Sequence, residues 1–192
     1  MTHFIFLDMI KILFISMLMC ATSAFAQSGV ENVDTLTANH PEYLPAIKKG
    51  ESVPNFEAKD TLGNVIKLSD YRGKYVVLDF WATWCKDCRH EMPFLKQLYK
   101  DYQNSSINGT PVQWIGYSFD IDADAWKNIL RKEQLAWLQV STLKSTREDP
   151  TFKSFGLHWI PAFYIVSPDG KVVGSAITAD GLRTLLKEHC SK

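Results

Sequence analysis

The chain has 192 residues, 46% of them hydrophobic and 22% charged, an ordinary globular composition that excludes disorder, collagen and coiled coil. Lys plus Arg and Asp plus Glu both number 21, so there is no electrostatic footprint for nucleic acid or an anionic membrane. Four cysteines are too few to staple a scaffold of this length, and two of them, Cys85 and Cys88, form a C-x-x-C.

In chain order, Ile12 to Met19 is an apolar run broken only by Ser16, and Ala24-Phe25-Ala26 follows it. This pattern predicts a cleavable signal peptide over residues 1–26. The run falls short of the roughly 20 residues of a spanning helix, which disfavours a retained anchor. Asp8 offsets Lys11, whereas a start at Met9 leaves a basic lead. Cys20 follows Met17-Leu18-Met19, which differs from the small residues of a lipoprotein signal. Export implies an oxidising compartment.

Residues 27–50 are polar, contain Pro41 and Pro45 and show no sustained period, which fits a leader or an arm. The domain is expected over residues 51–192. Phe56 to Leu68 reads as a β-hairpin turning at Asp60-Thr61-Leu62-Gly63-Asn64. Tyr75 to Phe80 is a near-continuous apolar run, as in a strand covered on both faces. From Lys86 to Tyr102 the residues Met92, Leu95, Leu98, Tyr99 and Tyr102 recur at three and four, predicting a helix that Pro93 should kink. Val112 to Phe119 is strand-like, and Ala123 to Leu135 is a helix with Trp126, Ile129 and Leu130 inward. Ala162–Val166 and Lys171–Val173 flank a Pro168-Asp169-Gly170 turn, and Leu182 to His189 is a final helix. The order implies an α/β fold: a mixed sheet with helices on both faces and an N-terminal hairpin.

A buried strand, a short loop and a helix place Cys85 at a helix N-terminus, where free N–H groups and the macrodipole stabilise a thiolate. Cys85 is the expected nucleophile and Cys88, one turn on and less exposed, the resolving thiol. Their spacing permits a disulfide that opens and closes with little rearrangement. Asp79, six residues before Cys85 in a buried strand, is a candidate base with a raised pKa. Glu91, three after Cys88, shares its helix stripe. Plain structural roles, a hydrogen-bonded strand carboxylate and a solvated first-turn glutamate, stand beside these readings.

Five blocks in order resemble the thioredoxin superfamily, and within it the exported TlpA/ResA-like thiol–disulfide oxidoreductases. They are Pro54-Asn55-Phe56, Leu68 to Lys74, Phe80 to Cys85, Cys88 to Pro93 and Ile160 to Phe163. The resemblance covers about Gly50 to Leu186. It implies a thioredoxin-like fold and a cis peptide at Ile160-Pro161 facing the cysteines. Trp84, Trp159, Ile160 and Pro161 would then bind substrate. It also implies the Cys85–Cys88 redox disulfide, with Asp79 matching thioredoxin's buried aspartate and Glu91 the glutamate of the ResA-like branch. Lys86-Asp87 between the cysteines departs from the proline many members carry. The expected protein is a periplasmic monomer needing no cofactor or metal beyond its dithiol. The resemblance implies that it would reduce protein disulfides, with apocytochrome c a candidate substrate, and take electrons from a membrane thiol-reducing protein.

A copper chaperone using Cys85, Cys88 and His158 is the alternative, since soft thiolates suit copper(I). A peroxiredoxin motif would need Pro at Leu78 and Thr at Ala82. A structural disulfide ignores the helix-start placement. Cys190 reads as a bystander thiol on the terminus, and the sequons at Asn104 and Asn108 as features of a polar loop.

Overall fold

The computed structural model describes residues 41–190. The signal-peptide segment, the Met9 start, Cys20 and residues 27–40 of the leader lie outside the described residues. A hairpin, β1 (Glu57–Asp60) and β2 (Val65–Lys67), opens the domain. Its turn is held by Asp60 Oδ1, which accepts from the amides of Leu62 and Asn64, and by Gly63 at φ +91°. There follow β3 (Tyr75–Trp81), α1 (Lys86–Tyr102), β4 (Ser106–Ile107), β5 (Thr110–Ser118), α2 (Ala123–Glu133) and β6 (Leu138–Ser141). A short α3 (Pro150–Ser154), β7 (Ala162–Val166), β8 (Val172–Ala176) and α4 (Ala179–His189) complete it.

The sheet runs β2-β1-β6-β5-β3-β7-β8, with β4 pairing β5. The strand that delivers the cysteines, β3, lies centrally between parallel β5 and antiparallel β7. Side chains alternate along it. Val77 packs with Leu95 and Leu98 of α1 and Leu182 and Leu186 of α4. Val76, Leu78 and Phe80 pack on the other face with Trp126 and Leu130 of α2 and with Phe155. This is the expected mixed sheet, covered on both faces, of a thioredoxin-like fold.

Several details differ from the sequence reading. β4, β6 and α3 were not anticipated, because segments of two to five residues carry too little period to register. The helix α2 stops at Glu133 rather than Leu135, because Gln134 adopts a left-handed cap at φ +54°. The helix α1 runs unbroken through Pro93, which lies on its exposed side. Cys88, Met92, Leu95, Leu98 and Tyr102 form its buried stripe. Residues 41–50 pack as an arm: Ala46 N–H donates to Gly156 O at 3.0 Å and Gly50 N–H to Val172 O at 2.8 Å.

Candidate active site

β3 ends at Trp81, and the chain turns through Ala82-Thr83-Trp84 into α1. A buried carboxylate from the neighbouring parallel strand holds this turn. Asp120, two residues past β5, accepts from Thr83 N–H at 3.0 and 3.1 Å and from Thr83 Oγ1–H at 2.6 Å. Ser118 Oγ–H also donates to Asp120, at 2.6 Å. The sequence reading missed Asp120. The available signal was its position just beyond the carboxyl end of the strand beside the cysteine strand, where α/β sheets gather functional groups.

Cys85 is the N-cap of α1, and its Sγ accepts from the Cys88 amide at 3.0 Å. The free N–H of the first turn is therefore spent on this sulfur. The two cysteines are joined, with Cα atoms 5.3 Å apart. Cys85 is less open than expected. Its relative exposure is 7% against 3% for Cys88, so access to it runs along a groove rather than from open solvent.

That groove, about 360 Å³, is bordered by Trp84, Cys85, Phe152, His158, Trp159 and Ile160, among others. Trp84 and Trp159 are large apolar side chains left 56% and 42% exposed, whereas Ile160 is buried. Tyr43, from the arm, packs at a tilt against Trp159, with ring centroids 4.9 Å apart and planes at 39°. The Ile160–Pro161 peptide is cis, and Ile160 O lies 3.4 Å from Cys85 Sγ. Pro161 itself is buried and borders the cavity behind the disulfide, not this groove.

Behind the disulfide, Asp79, Cys88, Glu91, Leu95, Trp137 and Pro161 border a small cavity together with Trp81, Met92, Leu135 and Phe163. It admits a water centre over about 10 Å³, the lower size for one water site. Asp79 is buried and accepts no hydrogen bond among the described residues. Burial pushes its carboxyl up from 3.8 to about 8, because desolvation disfavours the charged form. Glu91, half-buried, instead accepts from the backbone N–H of Ala179 at 2.6 Å. The indole Nε1 of Trp137 is buried with no partner among the described residues.

The structure thus brings Cys85, Cys88, Asp79, Glu91 and Pro161 together, and sets Trp84, Trp159 and Ile160 on the groove side. His158 is exposed on the groove rim, and among the described residues no group of three His, Cys, Asp or Glu side chains is arranged to hold a metal ion. Cys190 is half-buried at the C-cap of α4, where burial raises its thiol. No helix of the described residues is long and apolar enough to cross a membrane.

Known proteins resemble this one over most of the domain. A family model described as the AhpC/TSA family matches residues 49–175. The thiol-disulfide oxidoreductase ResA of Bacillus thuringiensis subsp. konkukian is 31% identical over 143 residues, 74% of this chain and 77% of that one. ResA of Geobacillus thermodenitrificans is 29% identical over 155 residues, 81% of this chain and 83% of its own. Among solved structures, a thiol-disulfide oxidoreductase from Bacteroides fragilis NCTC 9343 aligns with a TM-score of 0.64 and 30% identity, covering 72% of this chain and 98% of that one.

Proposed function

We propose that this chain, which belongs to the AhpC/TSA family and is a thiol–disulfide oxidoreductase, works in the reducing direction on protein disulfides, with Cys85 attacking and Cys88 resolving. The Cys85 thiolate attacks one sulfur of the substrate disulfide, forming a mixed disulfide and releasing the other substrate sulfur as a thiolate. Cys88 then gives its proton to the carboxyl pair behind it and attacks Cys85 Sγ. The Cys85–Cys88 bond forms, the second substrate thiolate leaves, and two electrons have passed to the substrate. An external dithiol restores the reduced form.

The observation that carries the direction is the placement of Asp79 and Glu91 on one cavity with Cys88. Strong oxidants owe their high potential to a stabilised thiolate in the reduced form. The Glu91 carboxylate beside Cys88 works against that stabilisation, Asp79 does so once it has lost its proton, and Asp87 offsets Lys86 in the first turn. A potential below about −200 mV is expected, and equilibration with glutathione buffers measures it. A value near −120 mV, that of a strong oxidant, reverses the assignment.

The exported location, the signal peptide over residues 1–26 and monomeric action belong to the same proposal, as do apocytochrome c as a substrate and a membrane thiol-reducing protein as donor. Their support is the apolar run before Ala24-Phe25-Ala26 and the resemblance to ResA. Cys88→Ser in the full chain should trap substrates on Cys85 as mixed disulfides. Recovery of cytochrome c polypeptides bearing C-x-x-C-H supports that substrate, and their absence among trapped partners removes it.

A further inference from the structure

Glu91 is tied to a distant part of the fold. Its Oε2 accepts from the amide of Ala179, 88 residues away, at 2.6 Å. Ala179 is the first residue of α4, after the N-cap Thr178, whose Oγ1 accepts from Gly181 N–H at 3.1 Å. The cap satisfies Gly181 and leaves the Ala179 amide for Glu91. A charge-assisted bond to a first-turn amide is short and directional. Ala179 is 1% exposed and α4 is pinned to the sheet by Leu182 and Leu186, so the donor is rigid. A glutamate alone has a long, mobile side chain. Fixed at one oxygen, it borders the cavity beside Cys88 in one place.

From this geometry we infer that the Ala179 amide is a positioning group for Glu91, so that the start of α4 sets the proton-handling side of the dithiol. The inference rests on the reading of Glu91 given under Proposed function. It makes α4, which contributes no side chain to the cavity lining, part of the active-site frame.

Proline at 179 removes the one N–H involved and keeps the helix. Pro is favoured at the first helical position, and Thr178 already has the extended conformation, φ −134° and ψ 155°, that a following proline demands. Ala179→Pro should slow reduction of a protein disulfide about fivefold at pH 7 and change the shape of the rate–pH profile. Ala179→Ser, which keeps the amide, should match the wild type within about 1.5-fold. Glu91→Asp, which withdraws the carboxylate by one methylene from Ala179, should behave like the proline variant. The deciding comparison is a double-mutant cycle. In the Glu91→Gln background, Ala179→Pro should change neither the rate, within about 1.5-fold, nor the profile.

An effect of Ala179→Pro that persists undiminished in that background, or no effect in the wild-type background while Glu91→Gln slows the reaction, overturns the positioning role alone. If Glu91→Gln itself leaves rate and profile unchanged, the underlying reading of Glu91 fails and this inference falls with it.

Discussion

The two sides of the Cys85–Cys88 disulfide are built from opposite materials. On the outer side lie Trp84 and Trp159, exposed aromatic rings on a groove of about 360 Å³. On the inner side lie Asp79 and Glu91 on a cavity with space for about one water centre, closed by Leu95, Met92, Phe163 and Trp137. Large exposed rings gain from covering apolar surface on a partner. A desolvated carboxyl holds a proton near neutral pH. Under the proposed function, recognition belongs to the front and proton traffic to the back, and the dithiol is where they meet.

The most severe way to break the comparison is to remove the meeting point. Cys85→Ser should abolish reduction of insulin or a model disulfide. Cys190→Ser should leave the rate within about twofold, because it lies some 16 Å along α4 from the end that touches Glu91. Faster alkylation of Cys88 or Cys190 than of Cys85 in the reduced protein would reverse the roles given to the sulfurs.

Next in size is the back. Asp79→Asn keeps the shape but cannot take a proton, and should slow protein-disulfide reduction about 10-fold or more near pH 7, the lower range of general-base effects. Glu91→Gln should cost less. The same substitution carries a stability signature. With a folded value of about 8 against 3.8 in an open chain, Asp79 leaves native stability intact below pH 4. It removes stability as the pH climbs towards 8, by up to about 1.4 kcal/mol per pH unit. In the oxidised protein, the advantage of Asp79→Asn over wild type should therefore be about 3 kcal/mol larger at pH 7 than at pH 4.5. Denaturant melts at the two pH values measure it, and an equal difference at both would remove the charge-burial account.

Smaller still is the front. Trp84→Ala and Trp159→Ala should each raise KM for a protein disulfide about fivefold, equivalent to ~1 kcal/mol of lost contact, with a lesser loss on a small disulfide. Equal losses on both substrates would mean that the rings pack the fold rather than meet a partner.

How much of this was open to a reader of the chain follows the same division. Asp79, Cys85, Cys88 and Glu91 lie within thirteen consecutive positions, on one strand–loop–helix unit whose periods are strong. Their convergence follows from local geometry alone. Tyr75–Trp81 and α1 were plain for that reason, and the Ile160–Pro161 cis peptide followed from the resemblance of its block. Trp137, Ala179 and Tyr43 reach the site from separate segments, and nothing local to any of them marks it, while Asp120 is marked only by its place just past the end of β5. Trp137 stands just before β6, a four-residue strand too short to show alternation. The burial of Cys85 also needed three dimensions, because Ile160, 75 residues further on, brings its carbonyl oxygen to 3.4 Å from a sulfur whose helix-start position alone suggested exposure.

The account's central claim is that Asp79 stores a proton behind the disulfide at neutral pH. The direct test is to follow the Asp79 carboxyl carbon by NMR against pH in the oxidised protein, where neither active-site cysteine titrates. The account predicts a midpoint near 8. A midpoint below about 5, in the range of an ordinary aspartate, would contradict it.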